Sequence, residues 1–303
     1  MKSDRFKGYF FAAIATVTFS SIYIFSKAAL NEVHLAQFGV YWFFVAFVLS
    51  ATWLLKTGGH RAIPKLAKRQ WRILALLGVL EILTTASFFL SIQIIPDPAV
   101  TSFIGNLFPV ILTVMGIVFL HERFTWVESF GAILALIGAF IISYQGGTTL
   151  SDLFIPGAGI VLINSFFAAT ASMVVKVNVK KMSPELLITN RALWLFIFSV
   201  VMLLVYKQSL VIPVKALINI AIGATLGPFF AVMFIYYSFR YIEVSKSSVV
   251  QSLKGVCVLI ASFLYFHTLP LPHQLAGGIL SVVGVFIISV SKARLSKRGR
   301  IKN

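Results

Sequence analysis

Two charged side chains stand near the middle of long apolar runs in this sequence. Glu81 is about ten residues from either end of its run, and Lys254 is about ten residues into another run. If these runs cross a bilayer, a rise of 1.5 Å per residue puts each charge about 15 Å from an interface. An isolated charge at that depth costs about 2.5–3.5 kcal/mol, so each should face a partner or a water-filled cavity.

The pair suits a ligand that carries both signs of charge. Lys254 would offer its ammonium group to a carboxylate, while Glu81 would receive an amine or carry a proton. The alternative is a structural ion pair that joins two helices. Because Glu81 is the only acidic residue deep in an apolar run, any proton coupling would have to involve it.

Polar residues accompany these charges at helical spacing. Gln251 lies three residues before Lys254, and Phe88 lies seven residues after Glu81, so each pair shares one helix face. Asn106 lies on a comparable stripe of another run. Because a buried primary amide can both donate and accept, Asn106 and Gln251 are predicted to bind substrate, although such groups also simply join neighbouring helices.

Further binding candidates have a polar tip on a large side chain. Tyr23, Trp42 and Tyr237 would suit a flat or apolar ligand if they face a cavity. Arg191 would either bind an anionic substrate group or extend to the lipid headgroups. Lys27 stands at the end of an apolar run and is interpreted as an interface anchor.

Two backbone features concern how the helices bend and pack. Pro109 removes one backbone hydrogen bond in mid-helix, which predicts either a gating hinge or a fixed bend. Small residues recur on one face of two other runs, which favours close helix packing, with a dimer interface as a further possibility. They include Gly131, Gly138, Gly277 and Gly284.

The composition requires a membrane to position these residues. Of the 303 residues, 59% are hydrophobic and 12% are charged, and the mean hydropathy is +0.94, which exceeds what one soluble core can bury. A span needs about 20 apolar residues. Ten candidate spans follow, near residues 8–29, 36–55, 72–95, 99–120, 125–144, 156–175, 185–206, 217–239, 245–266 and 275–291.

The basic residues predict the orientation of these spans. The net charge is +17, and 21 of the 26 Lys and Arg residues fall on one side if both termini are cytoplasmic. This alternation follows the positive-inside rule and argues against binding of nucleic acid, because no soluble basic domain carries the charge. We therefore expect an integral protein of the plasma membrane, the inner membrane in a bacterium, with both termini in the cytoplasm.

An internal repeat divides the chain in two. The segment GAILALIGAFIIS from Gly131 recurs as GGILSVVGVFIIS from Gly277, with 8 of 13 positions identical at an offset of 146. Five spans per unit is an odd number, so the second unit would cross the membrane in the opposite sense. The expected fold is thus an all-α polytopic membrane protein of ten transmembrane helices in two inverted repeats, residues 1–146 and 147–303.

Signals for other chemistry are absent from the sequence. Cys257 is the only cysteine, all five histidines lie in or beside predicted loops, and neither HExxH nor GxxxxGK[ST] occurs. We therefore expect no cofactor, no metal and no enzymatic activity, and any driving force would be a gradient.

The string LHERFTWVESFGAILALIGAFII at residues 120–142 resembles the end of the first repeat in EamA-type carriers of the drug/metabolite transporter superfamily, and Pro109 stands where that family often has a proline. The resemblance implies ten helices in two inverted repeats and transport of small metabolites, with amino acids prominent among exported substrates. In the second half, Thr268 replaces the glutamate expected opposite Glu122, and Gly255 replaces the proline expected opposite Pro109.

The leading hypothesis is a secondary transporter that exports an amino acid or a related zwitterionic or amphipathic metabolite by alternating access. Its partners would be that small molecule and the lipid bilayer, with proton coupling possible, and it would act as a monomer or homodimer. A nucleotide-sugar or organic-anion exchanger, or a membrane scaffold that transports nothing, remains an alternative.

Overall fold

A computed structural model of the protein describes residues 2–108, 110–111, 114–115, 125–144, 154–178, 182–242, 250–251 and 253–299. Pro109 and Glu122, which the sequence analysis singled out, lie outside these residues.

Helices make up nearly all of the described chain. Within these residues there is no strand, and a single bridge joins Tyr144 to Phe154. A 3₁₀ helix, Gly59–Lys65, follows the second α-helix, and a π-helix, Thr225–Ala231, joins the eighth to the ninth. The α-helices are α1 Lys2–Leu30, α2 Leu35–Lys56, α3 Lys68–Ile94, α4 Pro98–Ile104, α5 Trp126–Ser143, α6 Ala158–Asn178, α7 Pro184–Val205, α8 Val214–Ala224, α9 Val232–Tyr241, α10 Lys254–Phe266 and α11 Pro272–Gly299.

Capping residues set several helix starts. Thr125 accepts a hydrogen bond from the Glu128 amide, and the Glu128 carboxylate accepts one from the Thr125 amide, so the two form a capping box at α5. Ser183 caps α7 and is followed by Pro184 at the first helical position. These capping residues place the starts of the helices where the apolar runs begin.

Seven helical segments are long and apolar enough to cross a membrane, counted over the described residues alone. They are Phe6–Leu30, Leu35–Lys56, Lys68–Ile94, Trp126–Ser143, Ala158–Val175, Pro184–Val205 and Val214–Ser238, with Lys254–Phe266 and Pro272–Ile288 as shorter apolar helices. The fourth and ninth predicted spans fall partly on undescribed residues. The prediction of an all-helical membrane protein is confirmed, while the count of ten stays a prediction.

Helices of the first half pack mainly on helices of the second half. α1 also packs on α10, and α3 also packs on α7, but the most extensive contact of each first-half helix joins α1 to the α8–α9 segment, α2 to α7, α3 to α6, α4 to α10 and α5 to α11. In the order of the predicted spans these are the pairs 1 with 8, 2 with 7, 3 with 6, 4 with 9 and 5 with 10. The two halves therefore form one interleaved bundle with a shared core.

The segment from Val214 to Tyr241 is interrupted at its middle by the π-helix, which contains Pro228. Proline has no N–H and cannot continue the α-helical hydrogen bonding, which accounts for the wider turn at this place. The neighbouring Gly227 lies so close to α1 that a Cβ atom there would be 2.3 Å from the Ile22 side chain. This interruption was not predicted from the sequence.

Glycines bring α5 and α11 into backbone contact. A Cβ atom on Gly138 would lie 2.6 Å from the Gly277 carbonyl oxygen, and one on Gly131 would lie 2.7 Å from the Gly284 carbonyl oxygen. The predicted packing role of these small residues is confirmed, because their faces are turned towards each other inside one chain. Such close approach increases van der Waals contact between membrane helices, where the hydrophobic effect does not drive association.

We predict that Gly138→Ala destabilises the protein by about 1–3 kcal/mol, because the added methyl group would collide with backbone atoms that cannot move independently. Gly159→Ala in α6 is the matched control, since a Cβ atom there has nothing within 4 Å. Thermal unfolding of the purified protein in detergent measures both. Equal melting temperatures for the two variants would contradict the close packing of α5 on α11.

Candidate functional site

The Lys254 ammonium group lies over the ring of Tyr23. The Nζ atom lies 5.4 Å from the centroid of the Tyr23 ring, and Tyr23 in turn packs edge-on against Phe88 with centroids 5.0 Å apart. The Lys254 carbonyl accepts a weak 3.4 Å hydrogen bond from the Ser20 hydroxyl. Within the described residues Lys254 forms no ion pair, and its side chain is partly exposed.

Asn106 lies beside this group, where α4 and α10 cross. A Cβ atom on Gly255 would lie 2.9 Å from the Phe103 ring and 3.4 Å from Asn106 Nδ2, so only a glycine fits there. On the other side, a Cβ atom on Gly105 would lie 3.6 Å from the Tyr23 hydroxyl. Asn106 is 3% exposed, and its Nδ2 finds no hydrogen-bond partner in the part of the chain that is described.

Both helices that cross here are interrupted at this level. α4 ends at Ile104 and is followed by a turn at Gly105 and Asn106, while α10 begins only at Lys254. With the repeat offset of 146, Gly105 corresponds to Gln251, three residues before α10 starts. The interruptions therefore fall at nearly equivalent places in the two repeats, a feature that marks the binding sites of repeat-built transporters.

Gln251 lies just before the start of α10, is partly exposed and has an interaction partner. Five of the predicted binding residues are thus found on the elements that meet at this level: Tyr23, Phe88, Asn106, Gln251 and Lys254. We call Tyr23, Phe88, Asn106 and Lys254 the outer cluster. Pro109, the predicted gating residue, lies outside the described residues.

Glu81 does not meet Lys254, contrary to the idea that these two charges pair. Its Oε2 accepts a 2.6 Å hydrogen bond from Arg191 Nε, and Arg191 Nη2 donates to Thr85 Oγ1 at 3.3 Å. The physical reason is the packing of α3 on α7, which the sequence pattern of a single helix cannot show. We call Glu81 and Arg191 the inner pair. Thr85 is the hydroxyl partner of this pair.

The outer cluster and the inner pair lie at two depths. Phe88 follows Glu81 by seven residues on the same helix, which corresponds to about 10 Å along the axis. Glu81 is at the midpoint of the 27-residue α3, and the direction of the chain puts the outer cluster nearer to the α3 C-terminus. The predicted charged residues therefore form two levels along one helix face.

Comparison with known proteins identifies the family. The sequence profile of the EamA-like transporter family matches residues 6–144 and 155–290, which together make up most of the chain and coincide with the two repeats. The chain belongs to the EamA-like transporter family. Members of this family are membrane transporters of small molecules, so the resemblance found in the sequence is confirmed.

Solved structures agree with the fold of this family member. Its fold matches 28 solved chains, one of which, described as "Crystal structure of protein", has a TM-score of 0.70 over 97% of this chain and 99% of that chain. At 14% identity this likeness shows the fold alone. No curated protein sequence matches the chain.

Two predicted binding residues of this EamA-like transporter belong to neither level of charge. Trp42 is 1% exposed and packs against Phe38, Phe89 and the backbone at Gly223. Tyr237 donates a 2.7 Å hydrogen bond to Glu185, near the start of α7. The structure therefore places Trp42 in the apolar core and the Tyr237 hydroxyl beside the start of α7.

Lys27 is buried and is not the exposed interface anchor expected from its place in the sequence. It is 7% exposed, and its Nζ donates to the carbonyl oxygens of Ile92, Gln93 and Ile95 at 2.9–3.1 Å. These carbonyls end α3, where the negative end of the helix dipole favours a cation. Backbone carbonyl oxygens therefore accept the hydrogen bonds that an exposed ammonium group would donate to water.

Asp97, which the sequence analysis did not single out, lies just after α3 and interacts electrostatically with Lys27. Its Oδ1 accepts hydrogen bonds from the Ala99 amide at 2.8 Å and the Ser262 hydroxyl at 3.3 Å, and so joins the start of α4 to α10. Burial raises the pKa of Asp97, while the Ala99 and Ser262 hydrogen bonds and the nearby Lys27 charge oppose that rise. A carboxylate followed by proline is a common helix start, and that signal could have identified it.

An apolar cavity of 410 Å³ lies on α5 and α11, lined by Phe140, Ile141, Tyr144 and His273. Neither helix carries a predicted binding residue, and no charged group of the two levels borders this cavity. We therefore place the candidate site at the outer cluster and inner pair, where the charges and the helix interruptions meet.

We predict that Asp97 makes stability depend on pH. Because its pKa is raised on folding, the folded state holds this proton more tightly, so stability from this group grows as pH falls through the folded pKa and levels off below the ordinary value of 3.8. Relative to Asp97→Asn, which keeps the helix cap, the wild type should gain melting temperature between pH 7 and about pH 4. A constant difference between the two proteins would contradict the raised pKa, and Glu32→Gln, at a partly exposed carboxylate, is the control.

Proposed function

We propose that this chain is a secondary transporter that exports small amphipathic metabolites with a carboxylate, amino acids foremost, by alternating access. The outer cluster is the proposed substrate site, and export is the direction that the family resemblance favours. The proposal includes ten spans in two inverted repeats in the plasma membrane, with both termini in the cytoplasm.

The observation that carries this proposal is the ammonium group of Lys254, which has no ion-pair partner among the residues that the structure describes. It stands at the first residue of the 13-residue α10, about 18 Å from the far end of that helix. A charge at this depth costs about 2.5–3.5 kcal/mol, and the contact with Tyr23 offsets at most about 2 kcal/mol of that. A substrate carboxylate would supply the missing counter-charge.

The start of α10 adds to this preference for an anion. The first N–H groups of a helix have no partner within the helix, and the dipole favours negative charge at that end. Leu253 precedes Lys254 and provides no side-chain cap. Asn106 Nδ2, buried without a described partner, offers one more donor.

The charges favour a ligand with a single carboxylate over a phosphate ester. Of the two deep cations near the site, Arg191 is already neutralised by Glu81, and only Lys254 lacks a carboxylate among the described residues. The rings of Tyr23 and Phe88 suit an apolar side chain of the ligand. These features support an amphipathic amino acid over a nucleotide sugar.

The pairing of helices supports inverted repeats. A two-fold axis between the repeats would exchange span 1 with 6, 2 with 7, 3 with 8, 4 with 9 and 5 with 10. It converts the contact of spans 1 and 8 into the contact of spans 6 and 3. It maps the remaining three pairs onto themselves. The most extensive contacts of the first-half helices follow this pattern, as expected for two copies related by a two-fold axis. With an odd number of spans in each repeat, that axis would lie in the membrane plane.

We predict that binding depends on the carboxylate of the ligand. L-Leucine and 4-methylpentanoate should raise the melting temperature of the purified protein, whereas 3-methylbutan-1-amine, which lacks the carboxylate, should not. Lys254→Met should weaken binding of both carboxylates about 10–100-fold, because a hydrogen bond to a charged group contributes about 1.5–3 kcal/mol.

The same substitution at Lys215 is the matched control, because this lysine is exposed and pairs with Glu32 at 3.0 Å. Lys215→Met should leave the affinity unchanged. Leucine exchange in liposomes should follow the same order. Binding of the amine alone, or leucine exchange that survives Lys254→Met unchanged, would rule out the proposed site, and preference for 4-methylpentanoate over leucine would favour an organic-anion carrier.

We predict that two repeat-equivalent loops lie on opposite sides of the membrane. Thr57 follows α2 and Gln208 follows α7, the second helix of each repeat. In a Cys257→Ser background, an impermeant maleimide should label Gln208→Cys in intact cells and Thr57→Cys only after lysis. Labelling of both positions from the same side would refute the inverted arrangement.

A further inference from the structure

The turn that follows α4 leaves hydrogen-bonding groups without partners. In a continuous α-helix the Asn106 amide would donate to the Ser102 carbonyl, but here it donates to the Phe103 carbonyl at 3.1 Å. The hydroxyl of Ser102, a fully buried residue, finds no hydrogen-bond partner among the described residues, and neither does Asn106 Nδ2. Buried polar atoms without partners are rare in proteins, and a bound water or ligand is the usual explanation.

These atoms lie beside the outer cluster. Ser102 precedes Asn106 by four residues, about one helical turn. A Cβ atom on Gly105 would lie 3.3 Å from the Ser102 carbonyl oxygen and 3.6 Å from the Tyr23 hydroxyl, and the Tyr23 ring carries the Lys254 ammonium group. Gly105 is itself partly exposed, so accessible space reaches the end of α4.

We propose that the end of α4 binds the ammonium group of a zwitterionic α-amino acid whose carboxylate lies at Lys254. The acceptors are the carbonyl and hydroxyl oxygens of Ser102, with the Tyr23 hydroxyl beside them. This inference rests on the proposed function and narrows its substrate class from amphipathic carboxylates to α-amino acids with a free amine.

Two carboxylates that could compete for the ammonium group have other partners. Glu81, which the sequence analysis expected to receive an amine, accepts a hydrogen bond from Arg191 and lies about 10 Å along α3 from the level of Phe88. Asp97 precedes Ser102 by five residues, and its Oδ1 accepts from the Ala99 amide and the Ser262 hydroxyl. Neutral oxygens at the end of α4 are therefore the acceptors within reach of Lys254.

The protein holds another ammonium group with neutral oxygens of this kind. Lys27 Nζ donates to three carbonyl oxygens at the end of α3, at 2.9–3.1 Å. The last carbonyls of a helix have no N–H partner within that helix and favour a cation. The Ser102 carbonyl, three residues before the Gly105 turn, has lost its helical donor in the same way.

The two interrupted helices offer opposite preferences to one ligand. The start of α10 favours an anion and carries Lys254, while the end of α4 supplies hydrogen-bond acceptors. In an α-amino acid the nitrogen and a carboxylate oxygen are about 3 Å apart, so one small ligand presents both charges at this crossing. Broken helices of repeat-built transporters are known to bind carboxylates at N-terminal ends and cations at unwound carbonyls.

The preference for an amine tests the proposal. L-Leucine and 4-methylpentanoate differ only in the amino group, and isothermal titration of the purified protein in detergent gives the affinity for each. The wild type should bind leucine about 10–100-fold more tightly than 4-methylpentanoate, because hydrogen bonds to a charged group are the strong ones. Equal affinities for the two ligands would overturn the proposal.

Two substitutions locate this preference at the end of α4. Gly105→Ala places a methyl group between the Ser102 carbonyl and the Tyr23 hydroxyl, and the backbone φ of −61° accepts an alanine. It should weaken leucine binding far more than 4-methylpentanoate binding and reduce the preference to about threefold or less. Ser102→Ala removes a hydroxyl that has no described partner, so it keeps the fold and should reduce the preference about 3–10-fold.

Gly159→Ala is the matched control, because a Cβ atom there has nothing within 4 Å, and it should keep the wild-type preference. Preservation of the wild-type preference in Ser102→Ala and in folded Gly105→Ala overturns the proposal. If Gly105→Ala does not fold, Ser102→Ala alone decides.

The titrations also separate this inference from the proposed function. Lys254→Met should weaken both ligands alike, because both carry the carboxylate. Binding that requires Lys254 but shows no preference for leucine overturns the ammonium site and leaves the carboxylate site intact. Absence of any binding that requires Lys254 overturns the proposed function and, with it, this inference.

Discussion

The cost of placing an ionised group in hydrocarbon governs this structure. Among the described residues, three cations are buried or half-buried in the bundle, and each has a different environment. Lys27 is surrounded by three carbonyl oxygens at the end of α3, and Arg191 is neutralised by Glu81. Lys254 has an aromatic face and no carboxylate in the described chain. Since the first two are satisfied within the protein, the third is the one at which a ligand has most to contribute.

Interleaved packing provides the rigidity that such a site needs. Contacts between the halves run from backbone against backbone at Gly138 and Gly277 to the crossing of α4 and α10 at Gly255. Helix interruptions occur beside these close contacts, at Gly105 and before Lys254, and a π-helix forms at Pro228. In lipid, broken backbone is tolerated only where protein or a wet cavity satisfies it. The packing of the bundle therefore decides where the helices can open.

The helices and the family could be predicted from the sequence, and Tyr23, Phe88, Asn106 and Lys254 lie near one another in the structure. That these residues bind substrate stays a prediction. The expectation of an interface anchor at Lys27 was wrong, and Arg191 was not expected as the partner of Glu81. Depth along a helix is readable from an apolar run, but the neighbour that a side chain faces depends on how helices rotate and pack. Pro228 was a readable signal within its run, and Asp97 before a proline was another.

The two levels of charge differ in what neutralises them. Lys254 has no carboxylate partner among the described residues, whereas Arg191 is paired with Glu81. A ligand carboxylate at Lys254 would supply a counter-charge that the described chain lacks. A ligand carboxylate at Arg191 would have to displace Glu81 and would leave that side chain without its charged partner, which costs several kcal/mol. The two levels are therefore not interchangeable as anion sites, and the ion pair serves to join α3 to α7.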